Sequence, residues 1–175
     1  MIVALDIATQ TGVAYGRHDT APTCYSVDLG KGRSEDARFS QVLSLTHQLI
    51  VDHTPDLVVV EAAIGGKNAS AFLIGLLACV RGCCANRGVP VEQVAPATVR
   101  KHFIGKAYTS RDFPGLSQKQ AKIAIKELVL ARCKQFRWDV PDLDAADAAA
   151  CWEYGCATHV RGYQSKPSGE LFRDA

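Results

Sequence analysis

At 175 residues the chain is long enough to bury a sizeable core and short enough to be one domain. Its composition, 47% hydrophobic and 22% charged, is that of an ordinary soluble globular protein and excludes a strongly biased or membrane-embedded chain. Net charge is only +2, so any attraction to a polyanion must come from local clustering.

The elements follow in chain order. "MIVALDI" reads as a buried strand that ends in a carboxylate. "TQTG" turns into a second strand, "VAYGRH", and "TCYSVDLG" makes a third; the short spacing predicts an antiparallel set. Residues 34–53 carry Phe39, Val42, Leu43, Leu45 and Leu49 at helical spacing, with Ser34 as the cap. "PDLVVVE" is β-branched and apolar throughout, which predicts a central strand covered on both faces, and it too ends in a carboxylate.

Residues 68–87 form an apolar helix, expected to be buried on both faces. Its window at 69–85 falls just short of a membrane span and carries Arg81, so no membrane partner is expected. Its strip of Ala71, Gly75, Cys79 and Cys83 is a candidate seam for a second subunit. "VPVEQVA" predicts another strand, "ATVRKHFIG" a short helix and "AYTSRDFPG" a loop. A long helix over 116–136 and a last helix over 141–155 follow, then a polar tail. Three hairpin strands followed by β-α-β units predict an α/β fold, a mixed sheet with helices on both faces.

The seven cysteines are odd in number and form no CxxC pair, which predicts reduced, buried thiols in a cytoplasmic protein. The opening run has no basic leader, so no signal peptide is expected. There is no His–Cys zinc set and no glycine-rich phosphate loop.

The carboxylates carry the chemical signal. Asp6 and Glu61 each end an apolar strand, where an unpaired charge is costly to bury. In "PDLDAADAAACWEYG", Asp144, Asp147, Ala148, Cys151 and Gly155 lie on one helical stripe, with Glu153 on the opposite side. Asp142 reads as the N-cap. The small residues of the stripe would let the helix press on the sheet and carry Asp144 and Asp147 inward. Four converging carboxylates cannot all ionise without cations, and hard oxygen donors select Mg²⁺ or Mn²⁺.

Residues 100–137 hold ten bases against two acids. Within them Lys119, Lys122 and Lys126 share one side of a helix, opposite Ala121, Ile125 and Leu128. This predicts a phosphate-tracking face.

The stretches "LDIATQTGVAYG", "PDLVVVEAAIGGKNASA", "VEQVAPATVRKHFIG", "SQKQAKIAIKELV" and "DLDAADAAACW" together resemble the RuvC-type Holliday-junction resolvases, over residue 1 to about 159. The resemblance implies a ribonuclease H-like nuclease domain with a mixed five-stranded sheet, and leaves 160–175 as a C-terminal tail. It implies a homodimer that cuts four-way DNA junctions by paired nicks, using two Mg²⁺ ions, or Mn²⁺ in their place, at each site. The family's metal ligands fall on Asp6, Glu61, Asp144 and Asp147, and its junction-contacting lysines near Arg100 or Lys101 and on Lys119, which is implied to be catalytic. Lys67 and Asn68 match a DNA-contacting pair, and Ile64 stands where an aromatic wedge is usual. Ile7 and Ala8 replace the Pro-Gly of cellular members, so the chain is more similar to phage or prophage forms. A looser branched or flap endonuclease, a non-catalytic branched-DNA binding module and an RNA-directed nuclease remain alternatives.

Overall fold

A computed structural model describes residues 1–61 and 70–165. Ile64, Lys67 and Asn68 lie outside the described residues, as does the tail from 166 onward.

Five strands form one sheet: β1 (Ile2–Asp6), β2 (Gln10–Gly16), β3 (Thr23–Asp28), β4 (Leu57–Glu61) and β5 (Val91–Val94). Their order is β3-β2-β1-β4-β5. The first three are antiparallel neighbours, and β1–β4 and β4–β5 are parallel, so the sheet is mixed as predicted. The helices are α1 (Glu35–His53), α2 (Ala71–Asn86), α3 (Pro96–Ile104), α4 (Gln118–Gln135) and α5 (Leu143–His159). A short 3-10 turn, Ser110–Asp112, interrupts the loop before α4.

Strand parity divides the core in two. Val3, Leu5, Val58 and Val60 point to the face covered by α1 and α2. Ile2, Ala4, Leu57 and Val59 point to the other face, where α5 lies with α3 and α4 beside it. Helix starts follow local capping chemistry. Ser34 accepts from the Ala37 amide, Ser70 from Leu73, and Ser117 exchanges bonds with Gln120 in a capping box.

Two expectations need correction. The outer face of α2 is not buried within the chain: Ile74 is 49% exposed, and Ala78, Arg81 and Ala85 are exposed beside it. The small-residue strip of α2 meets α1 of the same chain: the Phe39 ring covers Gly75, and the Cys83 thiol faces the Leu43 carbonyl. Glu153, on the side of α5 opposite the stripe, is also covered. It is 3% exposed and bonded to His102, because α5 is roofed by α3 and α4 as well as floored by the sheet.

All seven cysteines are free thiols, with Cys84, Cys133, Cys151 and Cys156 buried. Among the described residues no helix is long and apolar enough to cross a membrane.

Candidate functional site

Parity and register bring the first two carboxylates together. Ile2 pairs with Leu57, Ala4 with Val59 and Leu5 with Val60 across the parallel β1–β4 ladder. The next step on each strand is Asp6 and Glu61. Both therefore emerge at the same end of the sheet, and both share the parity of the α5 face.

Helix α5 supplies the other two. Asp142 caps it: one carboxylate oxygen accepts from the amides of Asp144 (3.0 Å) and Ala145 (2.9 Å) and from the Ser26 hydroxyl (2.7 Å). The amide bonds cap the helix, the Ser26 bond ties its start to β3, and Asp142 does not line the cleft described next. Asp144 and Asp147 are then aimed at the strand ends, one turn apart. The helix lies very close to the sheet at two glycines. A Cβ on Gly12 would stand 2.0 Å from the Asp144 carbonyl oxygen, and one on Gly155 would stand 2.7 Å from a Val59 methyl. Gly12 is the register partner of Asp6. The missing side chain on β2 is thus what lets the α5 backbone approach the first carboxylate.

A cleft of about 350 Å³ opens here. Asp6, Glu61 and Asp147 line it together with Arg100, Lys122 and Lys126, and Ile7, Ala8, Leu73 and Leu77 supply the apolar remainder. Lys126 reaches furthest in. Its Nζ lies 2.7 Å from Asp144 Oδ1, 2.8 Å from Asp147 Oδ2 and 3.5 Å from Asp6 Oδ2. Asp147 is nearly sealed, with 5% of its side chain exposed, whereas Asp144 and Lys126 keep 30% and 28%.

The electrostatics reflect crowding. Burial, then the charges of Asp147 and Asp144, pushes Asp6 up to about 6 against the pull of Lys126. Burial, then the charges of Asp6 and Asp147, pushes Glu61 up to about 8, with Arg100 and Lys126 opposing. Burial disfavours the Lys126 ammonium, but Asp147, Asp6 and the bond to Asp144 outweigh it and push its pKa up.

Among the described residues no three His, Cys, Asp or Glu side chains are disposed to hold a metal ion together. Asp6, Asp144 and Asp147 are arranged around the Lys126 ammonium. Their chemistry nevertheless fits a hard divalent cation: the donors are all oxygen, and burial and mutual repulsion hold Asp6 and the neighbouring Glu61 against ionisation.

The other predicted residues divide. Arg100 and Lys122 reach the cleft. Lys101 is exposed and does not line it, and Lys119 is exposed on the first turn of α4, also outside the lining. Gly12 and the inward role of Lys126 escape sequence reasoning. Gly12 carried a signal in "TQTG", a glycine directly opposite a strand-end carboxylate.

No family model matches the chain, and no curated protein does. Solved structures do match its shape. The structure of Thermus thermophilus RuvC aligns with TM-score 0.59 and 17% identity, covering 89% of this chain and 94% of that one. T. thermophilus RuvC in complex with a Holliday junction substrate aligns with TM-score 0.61 and 15% identity, covering 89% and 93%. The chain therefore has the ribonuclease H-like fold of the RuvC structures.

Proposed function

We propose that the chain is a metal-dependent endonuclease of branched DNA, acting chiefly on four-way junctions and cutting by paired nicks in the cytoplasm. The observation that carries this reading is the meeting of Asp6, Glu61 and Asp147 in one cleft with Arg100 and Lys122. An apolar pocket for a small metabolite would not need so many like charges, and a plain DNA-binding surface would not bury carboxylates beside its bases. The likeness in fold to a RuvC bound to a Holliday junction supports a junction as the substrate.

Asp6, Glu61, Asp144 and Asp147 would hold Mg²⁺, or Mn²⁺ in its place, as two ions. Such ions polarise a phosphodiester and lower the pKa of an attacking water. The chain's own groups do the rest. Arg100 and Lys122 hold the phosphates on either side of the reacting one, fixing register without reading bases. Leu73 and Leu77 keep one wall of the cleft apolar, which strengthens the charge interactions within it. Lys119 and Lys101, exposed nearby, extend the phosphate track rather than join the chemistry.

Cutting two opposed strands calls for two clefts, and a homodimer supplies them about a two-fold axis. The exposed outer face of α2, centred on Ile74, is the surface we assign to that contact. A concentration-independent monomer mass in light scattering would remove it.

The test is to incubate the protein with junction, flap, duplex and RNA–DNA hybrid substrates in Mg²⁺ and map the cuts. Symmetrical nicks on the junction support the reading. Cutting of hybrid alone replaces it with an RNA-directed nuclease. Asp6→Asn should bind the junction and leave it whole; a variant that still nicks it removes Asp6 from the chemistry.

A further inference from the structure

The carboxylate cluster already holds a cation, and that cation belongs to the chain. A lysine ammonium has three N–H donors. Those of Lys126 face three acceptors, one each on Asp144, Asp147 and Asp6. The contact is close to two of them and loose, at 3.5 Å, to the third. Helix α4 holds the lysine there by burying Ala121, Ile125 and Val129 on its inner side. The flexible stem leaves the helix beside this seam.

Two features distinguish the arrangement from a permanent structural ion pair. Lys126 and Asp144 are each about 30% exposed, so separating them strands neither in an apolar interior. And a single positive charge faces three carboxylates, with Glu61 a fourth in the same cleft. A divalent ion would satisfy the same oxygens better. The Lys126 side chain is 28% exposed, and Lys122 one turn earlier on α4 is exposed, so a displaced ammonium can turn to solvent.

We infer that Lys126 is a tethered stand-in for the metal: its ammonium keeps Asp6, Asp144 and Asp147 together in the metal-free protein, and a divalent ion binds by displacing it toward the mouth of the cleft. The inference rests on the metal-dependent reading above. It makes Lys126 a positioning residue that sets metal affinity.

The test is Mn²⁺ binding to the full chain by calorimetry, without DNA. Lys126→Met removes the charge and keeps the bulk. It should bind Mn²⁺ about tenfold or more tightly than the wild type, a gain of about 1.4 kcal/mol. Lys122→Met removes an equal charge that touches no carboxylate, so its effect should be less than about threefold, as expected of a screened surface charge. Equal affinity in wild type and Lys126→Met, or equal gains in the two variants, overturns the role given to Lys126 and leaves the metal site standing. No Mn²⁺ binding by any of the proteins overturns both. A second measurement uses the wild type alone, in case Lys126→Met fails to fold. Brief acetylation with an N-hydroxysuccinimide ester, read by peptide mass spectrometry, should modify Lys126 faster once Mn²⁺ is added. Lys101 serves as the unchanged reference. Labelling of Lys126 that Mn²⁺ leaves unaltered or slows also overturns the inference.

Discussion

Replacing Gly12 with alanine tests whether the closeness of α5 to the sheet is what builds the cleft. The new Cβ would stand 2.0 Å from the Asp144 carbonyl oxygen and 2.5 Å from its carbonyl carbon. Both are backbone atoms, so no rotamer change relieves the clash. Restoring ordinary contact requires the start of α5 to move away from β2 by at least about 1.4 Å. Overpacking of this kind costs about 1–3 kcal/mol of stability. The functional loss should be larger in proportion, because the moving segment carries Asp144 and Asp147 away from Asp6; a misplacement of about 1 Å can cost about 100-fold in rate. Gly155→Ala is the control. Its Cβ would meet the Val59 and Ile2 side chains, which can turn, at a point about 16 Å further along the helix. It should lose stability and keep most of its cutting. Thermal unfolding and junction cleavage, the latter measured well below the midpoint, separate the two effects. Gly12→Ala within about 0.5 kcal/mol of wild type and with unreduced cleavage would refute the argument.

Other expectations follow from charge. The folded protein keeps the Glu61 proton up to about 8, while the unfolded chain releases it near the ordinary 4.5. In that window the folded state binds more protons, so without metal the unfolding free energy should fall as pH rises from about 5 to about 8, and Glu61→Gln should flatten the profile. A metal-free profile that is level or rises over that range contradicts the crowding described for Glu61. Lys119→Ala and Lys122→Ala should each lower the salt slope of junction binding by about 1; slopes equal to wild type would take them off the phosphate track. His102→Ala should cost about 1–3 kcal/mol in chemical denaturation, because it removes a bonded partner of the buried Glu153 carboxylate. An unchanged midpoint would mean that Glu153 finds another partner.

The strands and the inward carboxylates were legible because strand period and helix period are local properties. Apolar runs ending in Asp6 and Glu61, and a stripe of Asp144, Asp147, Cys151 and Gly155, are visible in any one-dimensional reading. Where α4 lies against α5 is not a local property. From the helix wheel Lys119, Lys122 and Lys126 are equivalent, and only the packing of Ala121, Ile125 and Val129 decides that the last reaches the acids while the first stays in solvent. The same limit explains Glu153. The helix period puts this glutamate opposite the sheet-facing stripe but cannot say that α3 and α4 cover that side and supply His102.

The cleft joins the two ends of the described chain: Asp6 lies in the first strand, while Asp144 and Asp147 lie in the last helix. During synthesis the amino-terminal strands emerge first. On the ribosome the half-made protein therefore carries Asp6 and Glu61 without their partners or Lys126. The four-carboxylate cleft thus has no complete intermediate, and docking of α5 is the event that assembles it. On the nuclease reading proposed above, a chain terminated anywhere before α5 would carry half a site and cut nothing.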